Sequence, residues 1–452
     1  MRYFLSLFVS SVVALSASAA PPNMVFILAD DLGYGDLGCY GQKKIQTPNL
    51  DKLAADGMRF TQVYAGSTVC APSRCTLMTG LHTGHCRIRG NATVPLASDD
   101  VTVARVLQKG GYVTGCIGKW GLGEANTTGI PTKQGFDYYF GFLNQVHAHN
   151  YYPDYLWRGE VKVPLKNVQE KGIASKRVEY APDLLREEAI AFIEKNKEKT
   201  FFLYYTPTLP HVNNEKTRAD GNGNEVPDDK PYTNEKWPQP EKDKAAMITR
   251  LDADVGKLLS NLTELGLDKN TLIIFTSDNG PHKEGGNTVE FLQSSGPLRG
   301  LKRDLTEGGI RVPAIVRWPG VVKAGTTSDQ VWAFWDVFPT LCEVAGAKAP
   351  NNLDGISFLP TLTGQGKQQT HDFLYWEFHE GGTKQAVRHD DWKAIRLSPS
   401  APLELYDLAT DIGEKKNVAK DHPEVIAKIE EYLKSARTKS KDWPIQEPKK
   451  KK

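Results

Sequence analysis

The chain has 452 residues, 40% hydrophobic and 24% charged, with 56 Lys+Arg against 54 Asp+Glu and a formal net charge of +2. This balance excludes a disordered chain, which needs fewer apolar residues and more net charge. It also excludes a collagen-like or low-complexity chain and a broadly basic protein drawn to nucleic acid or acidic membranes. Six cysteines in so long a chain exclude a disulfide scaffold, leaving a large globular protein of one big or two domains.

In chain order, residues 1–19 read as a secretory signal. Arg2 is followed by an apolar stretch over 3–15, shorter than a bilayer span, and Ala17-Ser18-Ala19 gives a cleavage pattern before Pro21-Pro22. No cysteine follows for a lipid anchor and no other segment reaches transmembrane length. The sequence therefore predicts an exported protein, periplasmic or extracellular, without a stable membrane anchor.

Short apolar runs then alternate with amphipathic stretches, the pattern of an α/β layer architecture. Runs at 25–28, 201–205 and 272–276 predict buried strands, and 112–117 and 314–316 are weaker candidates. Continuous apolar runs suit a parallel sheet covered by helices on both faces. Leu185, Ala189, Phe192 and Ile193 share one helical face, as do Met247, Leu251, Val255, Leu258, Leu259 and Leu262. Residues 213–242 are polar, rich in Pro, Gly and Asn, and read as a long surface loop. Strand-like pieces at 373–378, 392–397 and 403–406 and a helix carrying Val425, Ile429, Tyr432 and Leu433 predict a smaller α+β domain. We place its boundary at 366, giving a larger domain over 20–365 and a smaller one over 366–452. The run 449–452 reads as a solvated basic tail.

The strand at 25–28 ends in Asp30-Asp31, and the strand at 272–276 runs into Asp278-Asn279-Gly280. In open α/β sheets the ligand crevice lies beyond the carboxyl ends of the strands. Three carboxylates and an amide oxygen suit a hard cation, Ca²⁺ or Mg²⁺, better than zinc. Asp and Asn also start turns after strands, so either pair alone is better read as a turn. The strand at 201–205 leads to His211 and the strand at 112–117 to Lys119, which adds a proton donor and a cation beside an anion. In Cys70-Ala71-Pro72-Ser73-Arg74-Cys75-Thr76-Leu77-Met78-Thr79-Gly80, Pro72 fits the first turn of a helix and Cys70 its N-terminus. By itself this is a helix start with an acidified thiol.

That run resembles, at every fixed position, the Cys-x-Pro-Ser-Arg-x-x-x-x-Thr-Gly signature of type I sulfatases. Ala29 to Asp36, Gly118-Lys119-Trp120, Pro210-His211, Ser277-Asp278-Asn279-Gly280, the segment from Lys302 to Arg311 with Glu307-Gly308-Gly309, Leu405-Tyr406-Asp407-Leu408 and Glu414 to Asn417 are similar to that family in its own order. The resemblance implies an alkaline phosphatase-like fold: a large mixed, mainly parallel sheet between helices, with a smaller C-terminal α+β domain. It implies that a maturation enzyme oxidises Cys70 to formylglycine. One hydroxyl of the hydrated aldehyde then attacks the sulfur of a sulfate ester, and the second allows sulfate to leave. It implies that Asp30, Asp31, Asp278, Asn279 and the modified Cys70 bind Ca²⁺, with Mg²⁺ the second choice. Arg74 supports the nucleophile, Lys119 and Lys302 hold the sulfate, and His211 protonates the leaving alcohol. Lys283 and Arg303 are alternatives to Lys302.

One position departs from the family. Many sulfatases carry histidine two residues after the first lysine, where this chain has Gly121. His147 and His149 are candidates to replace it, or are equally well part of a substrate-lining or structural aromatic loop; His282 is a further candidate for the substrate pocket. Cys75 and Cys86 are a candidate bridge. The implied substrate is a sulfated small molecule, with a sulfated glycan the first choice. The alternatives are a phosphate mono- or diesterase of the same superfamily and an inactive glycan-binding homologue.

Overall fold

A computed structural model of the chain describes residues 21–448. The signal reading at 1–19 and the basic run at 449–452 lie outside the described residues.

The strands, in chain order, are β1 (Asn23–Ala29), β2 (Met58–Tyr64), β3 (Val113–Lys119), β4 (Tyr138–Phe142), β5 (Tyr155–Arg158), β6 (Val161–Pro164), β7 (Val168–Glu170), β8 (Ile173–Lys176), β9 (Phe201–Thr206), β10 (Thr271–Ser277), β11 (Arg311–Arg317), β12 (Thr326–Ser328), β13 (Trp332–Ala333), β14 (Leu374–Phe378), β15 (Lys384–His389), β16 (Trp392–Arg396) and β17 (Glu404–Asp407). The helices are α1 (Pro48–Ala55), α2 (Cys70–Thr79), α3 (Val103–Lys109), α4 (Ala181–Lys195), α5 (Asn214–Asp220), α6 (Gln239–Glu264), α7 (Val289–Leu292), α8 (Glu307–Ile310), α9 (Phe334–Val344), α10 (Leu359–Thr363) and α11 (Pro423–Leu433).

The main sheet runs β12-β2-β11-β10-β1-β9-β3-β4-β5-β6, with β13 beside β2. Its centre, β10-β1-β9-β3-β4, is parallel, and β11, β5 and β6 pair antiparallel at the flanks. The alternation of side chains explains why the central strands are apolar throughout. Met24, Phe26 and Leu28 enter a core shared with Phe202, Ile274 and residues of α2, α3 and α9. Val25, Ile27 and Ala29 enter the opposite core, with Leu203, Ile273 and the apolar stripes of α4 and α6. The sheet is thus the middle of three layers.

The antiparallel sheet β14-β15-β16-β17 follows. One face, through Trp376, Phe378 and Ile395, packs on Tyr64, Ile310 and Trp335 of the main body; the other, through Tyr375, Val387 and Leu405, packs on Ile429 of α11.

Two expectations need correction. The stretch 213–242 is not one loop. The Asn213 side chain accepts from the Lys216 amide and starts α5, and α6 begins at Gln239 with Pro240 in its first turn. That position tolerates proline because its N–H would have no intrahelical partner. Cys75 and Cys86 form no bridge: all six cysteines are free, and the Cys86 thiol donates to the Ile88 carbonyl at 3.2 Å.

Candidate active site

Four parallel strands bring their carboxyl ends to one edge of the sheet; three deliver a polar group within a residue or two, and the fourth delivers one from the turn that follows it. Asp30 and Asp31 follow β1, Lys119 ends β3, Asp278 and Asn279 follow β10, and the turn after β9 carries His211. The backbone locks the ends together: the Asp30 amide donates to Leu209 O at 3.0 Å and the Asp278 amide to Ala29 O at 3.1 Å. Asp31 takes φ of +65°, and its amide donates to Asp278 Oδ1 at 3.1 Å. A non-glycine residue in the left-handed region is uncommon, and carboxamide and carboxylate side chains tolerate it best. Gly280 has a different constraint: a Cβ there would lie 1.9 Å from Gly308 O. The segments after β10 and around α8 run against each other as bare backbone, and the Gly280 amide donates to Gly309 O at 3.0 Å.

Cys70 starts α2 and is 3% exposed. Lys119 Nζ lies 3.4 Å from its Sγ and donates to Asp30 Oδ2 at 2.7 Å. Arg74, one turn along α2 and fully buried, donates through Nε and Nη2 to Asp278 Oδ2 at 3.0 and 2.9 Å and through Nη1 to Lys119 O. Lys302 Nζ donates to Asp31 Oδ2 at 2.8 Å and lies 3.1 Å from His211 Nε2. Asn279 Nδ2 donates to Asp31 Oδ1 at 2.7 Å. Ligand atoms of Asp30, Asp31, Cys70 and His211 all lie within 4.8 Å of one another.

The electrostatics follow from packing these charges out of water. Burial, and then the neighbouring Asp30, push the Asp278 carboxyl up to about 7. Burial would also raise Asp31, but the charges of Lys302 and His211 outweigh it and hold that carboxyl well below its usual range. Burial lowers His211, and the Lys302 charge adds to this. Burial pushes the Cys70 thiol up to about 12 despite the nearby Lys119, so the unmodified thiol is neutral and a weak nucleophile.

The donor set fits a hard divalent cation. Asp30 Oδ1 and Asn279 Oδ1 are buried oxygens without a hydrogen-bond partner, beside two further carboxylates that repel one another.

The structure therefore brings together Asp30, Asp31, Cys70, Arg74, Lys119, His211, Asp278, Asn279 and Lys302. The other histidines are placed differently. His149 stacks on His211 with ring centroids 5.0 Å apart and bonds Glu215 at 3.1 Å. His282 bonds Lys244 Nζ at 2.8 Å and lies 3.2 Å from Pro210 O. His147 is set in an aromatic pocket, 4.3 Å from the Tyr155 ring and 5.0 Å from Phe142, away from this cluster.

Lys244 is absent from the sequence reading. Its amine is buried between Pro210 O, at 2.9 Å, and His282. The signal was a lysine on the apolar stripe of α6, three residues before Met247 and seven before Leu251.

Comparisons with known proteins identify the family. The Sulfatase family profile matches residues 22–347, and the profile for the C-terminal part of N-sulphoglucosamine sulphohydrolase matches residues 301–439. Human arylsulfatase A is 33% identical, covering 93% of this chain and 89% of its own length. The N-acetylgalactosamine-6-O-sulfatase of Bacteroides thetaiotaomicron is 31% identical, covering 92% and 93%. The crystal structure of Ps i-CgsB in complex with k-i-k-neocarrahexaose superposes with a TM-score of 0.80 at 30% identity, covering 95% of both chains. At 22% identity, the phosphonate monoester hydrolase of Agrobacterium radiobacter shares the fold with a TM-score of 0.66. The signature at Cys70, the sheet and these relatives together make the chain a member of the sulfatase family, a type I sulfatase of the alkaline phosphatase superfamily that hydrolyses sulfate esters.

Proposed function

We propose that this sulfatase acts on sulfated carbohydrate through a formylglycine made from Cys70 by a maturation enzyme, with Ca²⁺ held by Asp30, Asp31, Asp278, Asn279 and the modified residue. The observation that supports it best is the packing of Cys70 against Lys119, Asp30, Asp31 and His211 in one buried cluster. Formylglycine, as its hydrate, supplies a hydroxyl nucleophile in place of a thiol that burial keeps protonated. Bound Ca²⁺ supplies positive charge that orients the sulfate and favours the ionised nucleophile.

This chain's own residues do the rest. Arg74 fixes Asp278 through two hydrogen bonds and keeps one wall of the site cationic. Lys119 and Lys302 flank the space above Cys70 and His211 and take the sulfate oxygens, exchanging carboxylate partners for the substrate. His211 Nδ1 faces Val212 O at 2.7 Å, so the neutral ring keeps its proton there. Nε2 donates to the leaving alcohol once the arriving anionic ester favours the cationic ring.

A carbohydrate substrate is supported by two relatives, one named for N-acetylgalactosamine 6-sulfate and one solved with a neocarrahexaose bound. Among the described residues no helix is long and apolar enough to cross a membrane, and we propose export on the basis of the reading at 1–19.

The test is sulfate release from defined sulfated saccharides and from 4-nitrophenyl sulfate, with 4-nitrophenyl phosphate as control. We expect sulfate release that disappears in Cys70→Ala. Phosphate-ester turnover surviving that substitution would replace this reading with the phosphatase one.

A further inference from the structure

Beside the catalytic cluster lies a cavity of about 460 Å³, within the range of small-molecule sites. Its walls include Asn91, Val94, Gly121, Glu124, Leu143 and Gln145. Two connections tie it to the site. Asn91 Oδ1 accepts from the Ala71 amide at 3.1 Å, next to Cys70. Gly121 stands two residues beyond Lys119, and its amide donates to Leu143 O at 3.2 Å, which fixes the 143–146 segment against the end of β3.

Gln145 is the anomaly in this wall. Its Nε2 and Oε1 are both buried and neither has a hydrogen-bond partner among the described residues. An amide left so is costly, and folded proteins leave few of them. Its seat depends on Gly121, which has φ of +79° and whose Cβ, were there one, would lie 1.9 Å from Gln145 Nε2. The bare backbone at 121, the position that departs from the family pattern, is what admits this amide.

We propose that the cavity receives the alcohol part of the ester, a sulfated sugar, and that Gln145 is the residue that selects it. The proposal rests on the sulfatase reading of the Cys70 cluster. A carboxamide offers one acceptor and two donors, which matches neighbouring sugar hydroxyls that each donate and accept. No protein hydrogen bond restrains the amide, so it can turn toward a ligand in the cavity. Val94 and Leu143 give the C–H face of the ring an apolar surface.

The test compares Gln145→Leu, which keeps the volume and removes the amide, with the parent enzyme on 4-nitrophenyl sulfate and a panel of sulfated monosaccharides. We expect KM for the preferred saccharide to rise and its kcat/KM, relative to the aryl ester, to fall by roughly tenfold, the value of one lost hydrogen bond. Gly121→Ala, which displaces the amide without removing it, should lower the same ratio. In Cys70→Ser protein, calorimetric binding of the saccharide should weaken on adding Gln145→Leu. An unchanged ratio, or an equal fall in kcat for both substrates, would overturn the proposal. If the parent enzyme released no sulfate, the sulfatase reading would fail. The binding measurement would then decide the proposal alone: binding that depends on Gln145 supports it, and binding indifferent to Gln145, or none, overturns it.

Discussion

His211 reaches the cluster from the turn after β9, with Nδ1 on Val212 O and Nε2 toward Lys302 and Asp31. If it protonates the leaving alcohol, its loss matters in proportion to how badly that alcohol needs a proton. We expect His211→Gln to lower kcat on a sulfated sugar by about 10²–10⁴ and to have a much smaller effect on 4-nitrophenyl sulfate, whose phenolate leaves unaided. Equal losses on both would assign His211 another role. At this scale much was legible. Asp30, Asp278 and Lys119 could be read because apolar runs end at them, and Cys70 and Arg74 because they fall in one short motif. Gln145 could not be read. Its environment is made by Gly121, 24 positions away in sequence and adjacent only once β3 and β4 pair.

Buried charge, rather than apolar area alone, joins the elements. Glu307, at the start of α8, accepts from Tyr64 on β2 at 2.7 Å, from Lys393 on β16 at 2.9 Å and from Arg311 on β11 at 3.2 Å, all inside the protein. Removing one member of such a group leaves uncompensated charge behind, so Glu307→Gln should destabilise by about 3–5 kcal/mol in denaturant titration. A cost below about 1 kcal/mol would mean that the site is more open to water than its burial indicates. Glu377 on β14 gives a pH signature. Burial pushes its carboxyl up, but hydrogen bonds from His379 and Arg437 and the charge of Arg89 outweigh this and hold it at about 2, against an ordinary 4.5. A lowered folded value stabilises the protein fully above the unfolded value and is lost as pH falls from 4.5 toward 2. We therefore expect the urea midpoint to fall on acidification across that window, and to fall less steeply in Glu377→Gln. Sequence patterning found the strands that are continuous apolar runs, β1, β9 and β10, the weaker or shorter runs that became β3, β11, β14, β16 and β17, and the helices with one clear apolar stripe, α4, α6 and α11. It missed β15, whose Lys384, Arg388 and His389 disguise a strand held by two neighbours, and α9, whose internal Pro339 reads as a helix breaker.

The whole molecule places carboxylates, a lysine and a histidine from the ends of four strands at one edge of the sheet, with Asp31 and Asp278 247 positions apart in sequence. That arrangement concentrates negative charge: burial and Asp30 together hold Asp278 near 7. A bound divalent cation should therefore stabilise the fold as well as serve the reaction. At about 100 times its Kd, Ca²⁺ should add about 2.7 kcal/mol, read as a rise in Tm that chelation reverses and that Asp30→Asn removes. A Tm indifferent to Ca²⁺ and to chelator would count against the site. The net charge near zero gives no hint of this centre, because its cations and carboxylates are equally local and nearly cancel. The proposed chemistry rests on a single side chain, Cys70. Peptide mass spectrometry of protein from a host that makes formylglycine should find the Cys70 peptide lighter by about 18 Da, the change from –CH₂SH to –CHO. A Cys70 peptide that remains entirely thiol in protein that releases sulfate would contradict it.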